Sequence, residues 1–151
     1  MNKRLLIIFT CSLLALSLYS QTSVEQLYRT FSKESNVEKV NLNELAMFMM
    51  RPFSNNDTES KITSISVLSL EDCSPEVKER FNKTALNFND KDYELFVSSN
   101  EENEKVRIFL KFQKDFIREM VILSMGDEPA MVQLKGKISP SEIDKMKNGR
   151  K

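Results

Sequence analysis

The stretch Lys105-Val106-Arg107-Ile108-Phe109-Leu110-Lys111-Phe112-Gln113 decides the fold class. A strand turns successive side chains to opposite faces, so Val106, Ile108, Leu110 and Phe112 share one side. Lys105, Arg107, Phe109 and Lys111 share the other. Such alternation predicts an antiparallel strand with its apolar side on a core and its mostly charged side toward water. The pattern continues both ways. Phe116 to Met125 and Ala130 to Lys137 supply two more strands, joined by tight turns at Gln113–Asp115 and Gly126–Pro129, and Tyr93 to Ser98 supplies one before them. Further upstream, Ile62 to Leu70 is rich in β-branched residues and serine. It places Ile65 and Val67 on one face and Ile62, Leu68 and Leu70 on the other, a strand partly covered on both sides.

Helical spacing appears in the segments between. Val24, Leu27, Tyr28 and Phe31 fall at i, i+3, i+4 and i+7, after a Ser23/Gln26 pair that resembles a capping box. Val37 to Val40 is a strand or an extended lead into a second helix. Asn41 caps that helix, Glu44 stands at its third position and Pro52 stops it. Its stretch Leu45 to Met50 is continuously apolar. Ser54 to Ser60 is a polar loop. Ser74 caps a third helix with Pro75 in its first turn, where a missing N–H costs nothing, and Val77, Phe81, Ala85 and Phe88 mark its buried stripe. Ser139-Pro140-Ser141-Glu142 opens a short closing helix. Helices must cover the apolar side of the sheet. The expected architecture is therefore an α+β two-layer sandwich, a mainly antiparallel sheet of five or six strands with helices on one face.

The N-terminus has a different character. Lys3 and Arg4 precede an apolar run from Leu5 to Leu18, which is the composition of a secretory signal and too short for a transmembrane helix of roughly 20 residues. The spacing predicts a signal peptide over residues 1–20, cut after Ser20. Cys11 lies inside that run without the small residues that a lipid-attachment box places before the cysteine, so it is read as part of the signal and not as an anchor. Residues 21–151 are then one α+β domain with a short basic C-terminal tail and no further transmembrane span. That chain has 131 residues and a net charge of −2, because Lys3 and Arg4 leave with the signal. Residues 131–151 carry +4 of net charge and residues 21–130 carry −6. Cys73 is the one cysteine left, so no internal disulfide is expected and stability must come from an ordinary core.

Composition excludes much. The sequence has no histidine, which removes Ser/His/Asp and Cys/His triads and histidine-ligated zinc. Its three glycines, Gly126, Gly136 and Gly149, match no phosphate-binding loop or dinucleotide fingerprint. Balanced charge argues against nucleic acid as a partner. Cys73 precedes a helix start, but Glu71 and Asp72 oppose a reactive thiolate, so it is read as structural. Glu101, Glu102 and Glu104 form an acidic hairpin tip that lacks the ligand spacing and central glycine of a calcium loop. No catalytic residue, cofactor-binding residue or metal ligand stands out, and no cofactor is expected. Two stretches remain as candidate partner surfaces: the sheet face bearing Arg107 and Phe109, and the apolar helix bearing Met47, Phe48 and Met50, whose methionines would adapt to varied apolar partners. The alternative for that helix is burial in the core. Asn56-Asp57-Thr58 and Asn82-Lys83-Thr84 fit the glycosylation pattern, which is common by chance.

The strand words Ile62 to Leu68, Tyr93-Glu94-Leu95, Lys105 to Phe109, Arg118 to Leu123 and Leu134 to Ile138, with a signal ending at Ser20-Gln21, resemble the bacterial domain of unknown function 4252 family. The resemblance covers nearly all of residues 21–151. It implies export by Bacteroidetes-type bacteria, an envelope location in the periplasm or at the outer membrane, and a link to envelope signalling or stress. It carries over no catalytic residue. The expected function is a non-enzymatic interaction module for an envelope protein. The alternatives are a small hydrolase using carboxylates or a Ser/Lys pair, and a carrier of an apolar ligand.

Overall fold

The computed structural model describes residues 22–43, 61–101 and 103–148. Among them, helix α1 (Val24–Phe31) and strand β1 (Glu38–Leu42) come first. Strand β2 (Lys61–Ser69) and helix α2 (Pro75–Leu86) follow. The meander β3 (Glu94–Glu101), β4 (Glu104–Gln113), β5 (Phe116–Met125) and β6 (Ala130–Ile138) leads into helix α3 (Pro140–Asn148). The strands form one antiparallel sheet in the order β1-β2-β6-β5-β4-β3. Hairpin connections make β3 to β6 neighbours in sequence order, and β2 closes on β6 after α2 has crossed the sheet. This is the α+β architecture expected from the sequence.

Local chemistry sets the helix starts. Ser23 Oγ accepts from the Gln26 N–H at 3.1 Å, and Ser74 Oγ accepts from the Val77 N–H at 3.4 Å. A second donor at the start of α1, the Val24 N–H, is taken by Asp90 Oδ2 at 3.0 Å, while Asp90 Oδ1 accepts from the Asp92 N–H at 3.0 Å. Asp90 is buried, and both of its oxygens are used in anchoring α1 to the loop before β3.

The main core lies between α1, α2 and one face of the sheet. Val24, Leu27 and Phe31 from α1, and Phe81 and Ala85 from α2, meet Leu68, Phe109, Val121, Leu123 and Met131. Phe31 packs edge-on to Phe81, and Phe88 edge-on to Phe109, each with centroids 5.0 Å apart. Asn82 clamps the β5–β6 turn to α2, donating to the Gly126 carbonyl at 2.9 Å and accepting from the Gly126 N–H at 3.2 Å. With both ends of its amide engaged, Asn82 is a poor glycan acceptor.

A second cluster sits on the opposite face. There Ile143 of α3 packs with Leu110, Ile117, Met120 and Ile138. Leu110 and Met120 are one residue out of phase with Phe109 and Val121, so they must point the other way. The single helical layer expected from the sequence accounts for α1 and α2, whereas α3 covers one end of the other face.

The expected helix start at Asn41 is replaced by strand. Asn41 and Leu42 pair with Ser66 and Ile65, and the Tyr28 hydroxyl donates to Asn41 Oδ1 at 3.3 Å. An edge position beside β2 gives this segment ladder hydrogen bonds that a cap would forgo. The remainder of that helix, with Met47, Phe48 and Met50, lies outside the described residues, as does the expected signal segment. No helix among the described residues is long and apolar enough to cross a membrane.

Candidate functional site

The face of β4 expected to meet water is the covered one. Phe109 is 3% exposed, beneath Phe88 in the main core, and cannot present itself to a partner. Arg107 lies beside it under the end of α2. Its Nη1 donates to the carbonyls of Ala85 at 2.8 Å, Leu86 at 2.9 Å and Phe88 at 3.1 Å, and its guanidinium stands 4.7 Å from the Phe109 ring centre. These carbonyls end a helix, where orphan acceptors and the negative end of the dipole favour a cation. Partial burial lowers the Arg107 pKa from its ordinary value, and the group remains a cation. Arg107 is thus a helix cap supplied by the sheet. The expected partner surface at Arg107 and Phe109 is corrected to a structural joint.

Farther along the same face, beyond the cover of α2, the sheet floor turns polar. Register places Lys135, Glu119 and Lys111 side by side on β6, β5 and β4. Glu119 Oε2 accepts from the Tyr93 hydroxyl at 2.6 Å and from Gln133 Nε2 at 2.9 Å, and Lys111 Nζ stands 5.5 Å from the Tyr93 ring centre. Burial, then the hydrogen bond to Glu119, pushes the Tyr93 phenol well above the ordinary tyrosine range, so it serves as a fixed donor and not as a base. An open hollow of about 460 Å³ lies over this row, walled by Tyr28 and Asp92. Its two most enclosed carboxylates, Asp90 and Glu119, are each held by structural donors. These two are therefore not a free pair for acid and base work, and the other carboxylates of the hollow, Glu25 and Asp92, stand exposed on its wall. No group of three metal-ligating side chains occurs among the described residues.

Cys73 is buried, and its Sγ lies 3.5 Å from the Ser35 carbonyl. Burial first, then the nearby Glu34 carboxylate, raises its pKa. A buried thiol held in its neutral form is inert, as the sequence suggested.

The least expected surface is the other side of the sheet. Cross-strand register aligns Val40, Val67, Val132, Ile122, Ile108 and Val97 in one row across all six strands. A parallel row runs Leu42, Ile65, Leu134, Met120 and Leu110 across five, with Phe96 packed at its β3 end. Met120 and Leu110 lie with Ile143, whereas Val40 is 50% exposed and the others of the first row are all half-buried. The first row contains no charged residue, and the second meets one only at its β3 end, where Glu94 stands opposite Leu110. Next to the first row is one of small or polar residues: Glu38, Ser69, Ala130, Ser124, Val106 and Ser99. Glu101 and Glu104 face each other beyond it at the tip of the β3–β4 hairpin, and Ser124 donates to Glu104 at 2.9 Å. A hollow of about 370 Å³ runs along this corner, lined by Val97, Ser99, Glu101, Glu104, Val106 and Ile108.

Apolar rows of this extent are larger than single surface hydrophobes, which carry no meaning by themselves, and contiguous patches mark contact sites. The signal for them was present in the strand alternation. What the alternation lacked was any indication of which of the two faces the helices would take.

The chain belongs to the family described as Domain of unknown function (DUF4252), which it matches over residues 28–146. No curated protein and no solved structure matches it.

Proposed function

We propose that this protein is an exported, non-enzymatic interaction module that docks an envelope protein on the open apolar face of its sheet. The observation that supports it most is the charge-free row from Val40 to Val97, which crosses every strand and is left half-buried by the described helices. The polar floor around Glu119 supports the same reading from the other side. Its two most enclosed carboxylates, Asp90 and Glu119, accept structural hydrogen bonds instead of standing free for chemistry.

A photo-cross-linking residue placed at Val132 in living cells tests the docking. Val132 should give a discrete adduct that disappears when Val67 is also changed to lysine, and the same residue at exposed Lys83 on α2 should give none. Absence of an adduct at Val132, or equal adducts at both positions, overturns the reading. Export is tested by the N-terminus of the protein recovered from the envelope: Gln21 is expected, and an intact Met1 overturns that part.

A further inference from the structure

We infer that the hollow over the polar floor binds a small zwitterion, an amino acid or a short peptide with both ends free, through Lys111, Lys135 and Glu119. This goes beyond the docking reading and stands without it.

The floor is built before any ligand arrives. Register sets Lys135, Glu119 and Lys111 side by side on β6, β5 and β4, about 4.8 Å from strand to strand. Glu119 Oε2 is fixed by the Tyr93 hydroxyl at 2.6 Å and by Gln133 Nε2 at 2.9 Å. Tyr93 in turn carries the Lys111 ammonium, 5.5 Å from its ring centre. Groups interlocked in this way have little freedom left to lose on binding, which is what preorganisation requires. On the wall, Tyr28 is anchored through its hydroxyl to Asn41 at 3.3 Å.

The charges of this floor are left open. Among the described residues no ion pair joins either lysine to Glu119 or to another carboxylate. With Oε2 engaged by Tyr93 and Gln133, Glu119 keeps Oε1 without a protein hydrogen bond. Lys111 and Glu119 are half-buried, yet no buried side-chain nitrogen or oxygen among the described residues lacks a partner. Lys111 Nζ and Glu119 Oε1 are therefore within reach of solvent, and both residues line the hollow. Lys135 lines it too and is exposed.

The signs of the lining select the ligand. Against the two lysines stand four carboxylates: Glu119 on the floor, Asp90 held by backbone N–H groups, and the exposed Glu25 and Asp92 on the wall. A plain anion such as phosphate would be repelled by those carboxylates, and a plain cation would meet two ammonium groups on the floor. A molecule carrying both charges satisfies both. Its ammonium donates to Glu119 Oε1, and its carboxylate accepts from Lys111 or Lys135 on the strand beside it. These charge-assisted bonds start one strand spacing apart, a separation that a single amino acid or a dipeptide spans. The hollow, about 460 Å³, has room for either.

The test is saturation-transfer NMR on protein purified from cells expressing the full chain. The probes are two pools, the free amino acids and a set of unblocked dipeptides ending in alanine, with each compound at about 1 mM so that weak binding registers. At least one compound should bind. Calorimetry on that compound should show a loss of roughly tenfold or more in Lys135→Met and in Glu119→Gln, as expected for a hydrogen bond to a charged group. Lys135 is exposed, so its truncation spares the fold, and glutamine at 119 keeps an acceptor for Tyr93 and Gln133. Circular dichroism confirms that both variants are folded. Lys83→Met on α2, outside the hollow, should change nothing. Acetylating the compound's ammonium group, or amidating its carboxylate, should each cost a similar factor. A hit among the free amino acids assigns an amino acid as the ligand, and hits confined to the dipeptides assign a peptide. No binding in either pool overturns the inference, as does binding that survives both substitutions or either blocking group.

Discussion

Replacing Arg107 with methionine separates a structural joint from a partner surface. Methionine keeps the apolar stem and removes the guanidinium, leaving the Ala85, Leu86 and Phe88 carbonyls without that donor. One NH₂ group has two protons, so the three contacts amount to about two full bonds. Each hydrogen bond to a charged group contributes roughly 1.5–3 kcal/mol. The dipole at the end of α2 adds about 0.3–1 kcal/mol. Arg107 is only partly buried, so water recovers some of this on truncation. The expected loss is about 2–4 kcal/mol. With a urea slope of about 1–3 kcal/mol per molar for a domain of this size, the midpoint should fall by roughly 1–2 M. The assay is urea unfolding followed by circular dichroism, at one fixed protein concentration so that association does not distort the comparison. Arg107→Lys should lose part of the same energy, since an ammonium cannot span three carbonyls. Arg118→Met on the neighbouring strand, where the side chain is exposed, should change stability by less than about 0.5 kcal/mol. If Arg107→Met stays within that same margin, the cap contributes nothing measurable and the joint is refuted.

Gly136 sits where a Cβ would lie 2.1 Å from the Lys61 carbonyl oxygen of the adjacent strand, so Gly136→Ala should cost about 1–3 kcal/mol or more in thermal unfolding. Tyr93→Phe should lower stability at neutral pH, and ultraviolet titration should show the wild-type Tyr93 phenol unionised beyond the ordinary tyrosine range until the protein unfolds. The sign follows from a folded pKa above the unfolded one: the contribution is whole below about pH 10 and is lost as pH rises past it, so the wild type and Tyr93→Phe should converge in alkali. A thiol reagent should modify Cys73 only at the rate of unfolding, and fast labelling of the native protein would contradict its burial.

The sequence-readable part of this fold is local. Ser23 and Ser74 cap helices because their hydroxyls reach backbone donors three residues on, a relation contained within a few residues. The meander is legible for the same reason, since alternation and tight turns are short-range. Asn41 marks where that reasoning fails. Its side chain suits a cap, but β2 offers its backbone a ladder, and that ladder comes from residues more than 20 positions away. Nothing near Asn41 announces it. Asp90 is another long-range case, a carboxylate in an ordinary loop whose partner is the Val24 N–H at the start of α1.

The inversion of β4 follows from a deeper ambiguity. Alternation divides a strand into two faces and assigns neither to the core; an apolar face is assumed to be the covered one because burial stabilises it. Here both faces carry apolar groups, and the one bearing Phe109 has what α2 requires: an aromatic ring for Phe88 and a cation for the open end of the helix. The other face, with Val106 and Ile108, has only apolar area to offer. Apolar area can be covered by any sufficiently flat partner, whereas three helix-terminal carbonyls need a donor at a particular place. Polar satisfaction thus favours the face that α1 and α2 took, and hydrophobic patterning is left to the remaining face, where α3 covers one end. A face that α1 and α2 leave uncovered, capped at one end by α3 and free of charge along its central row, has the character of a contact surface.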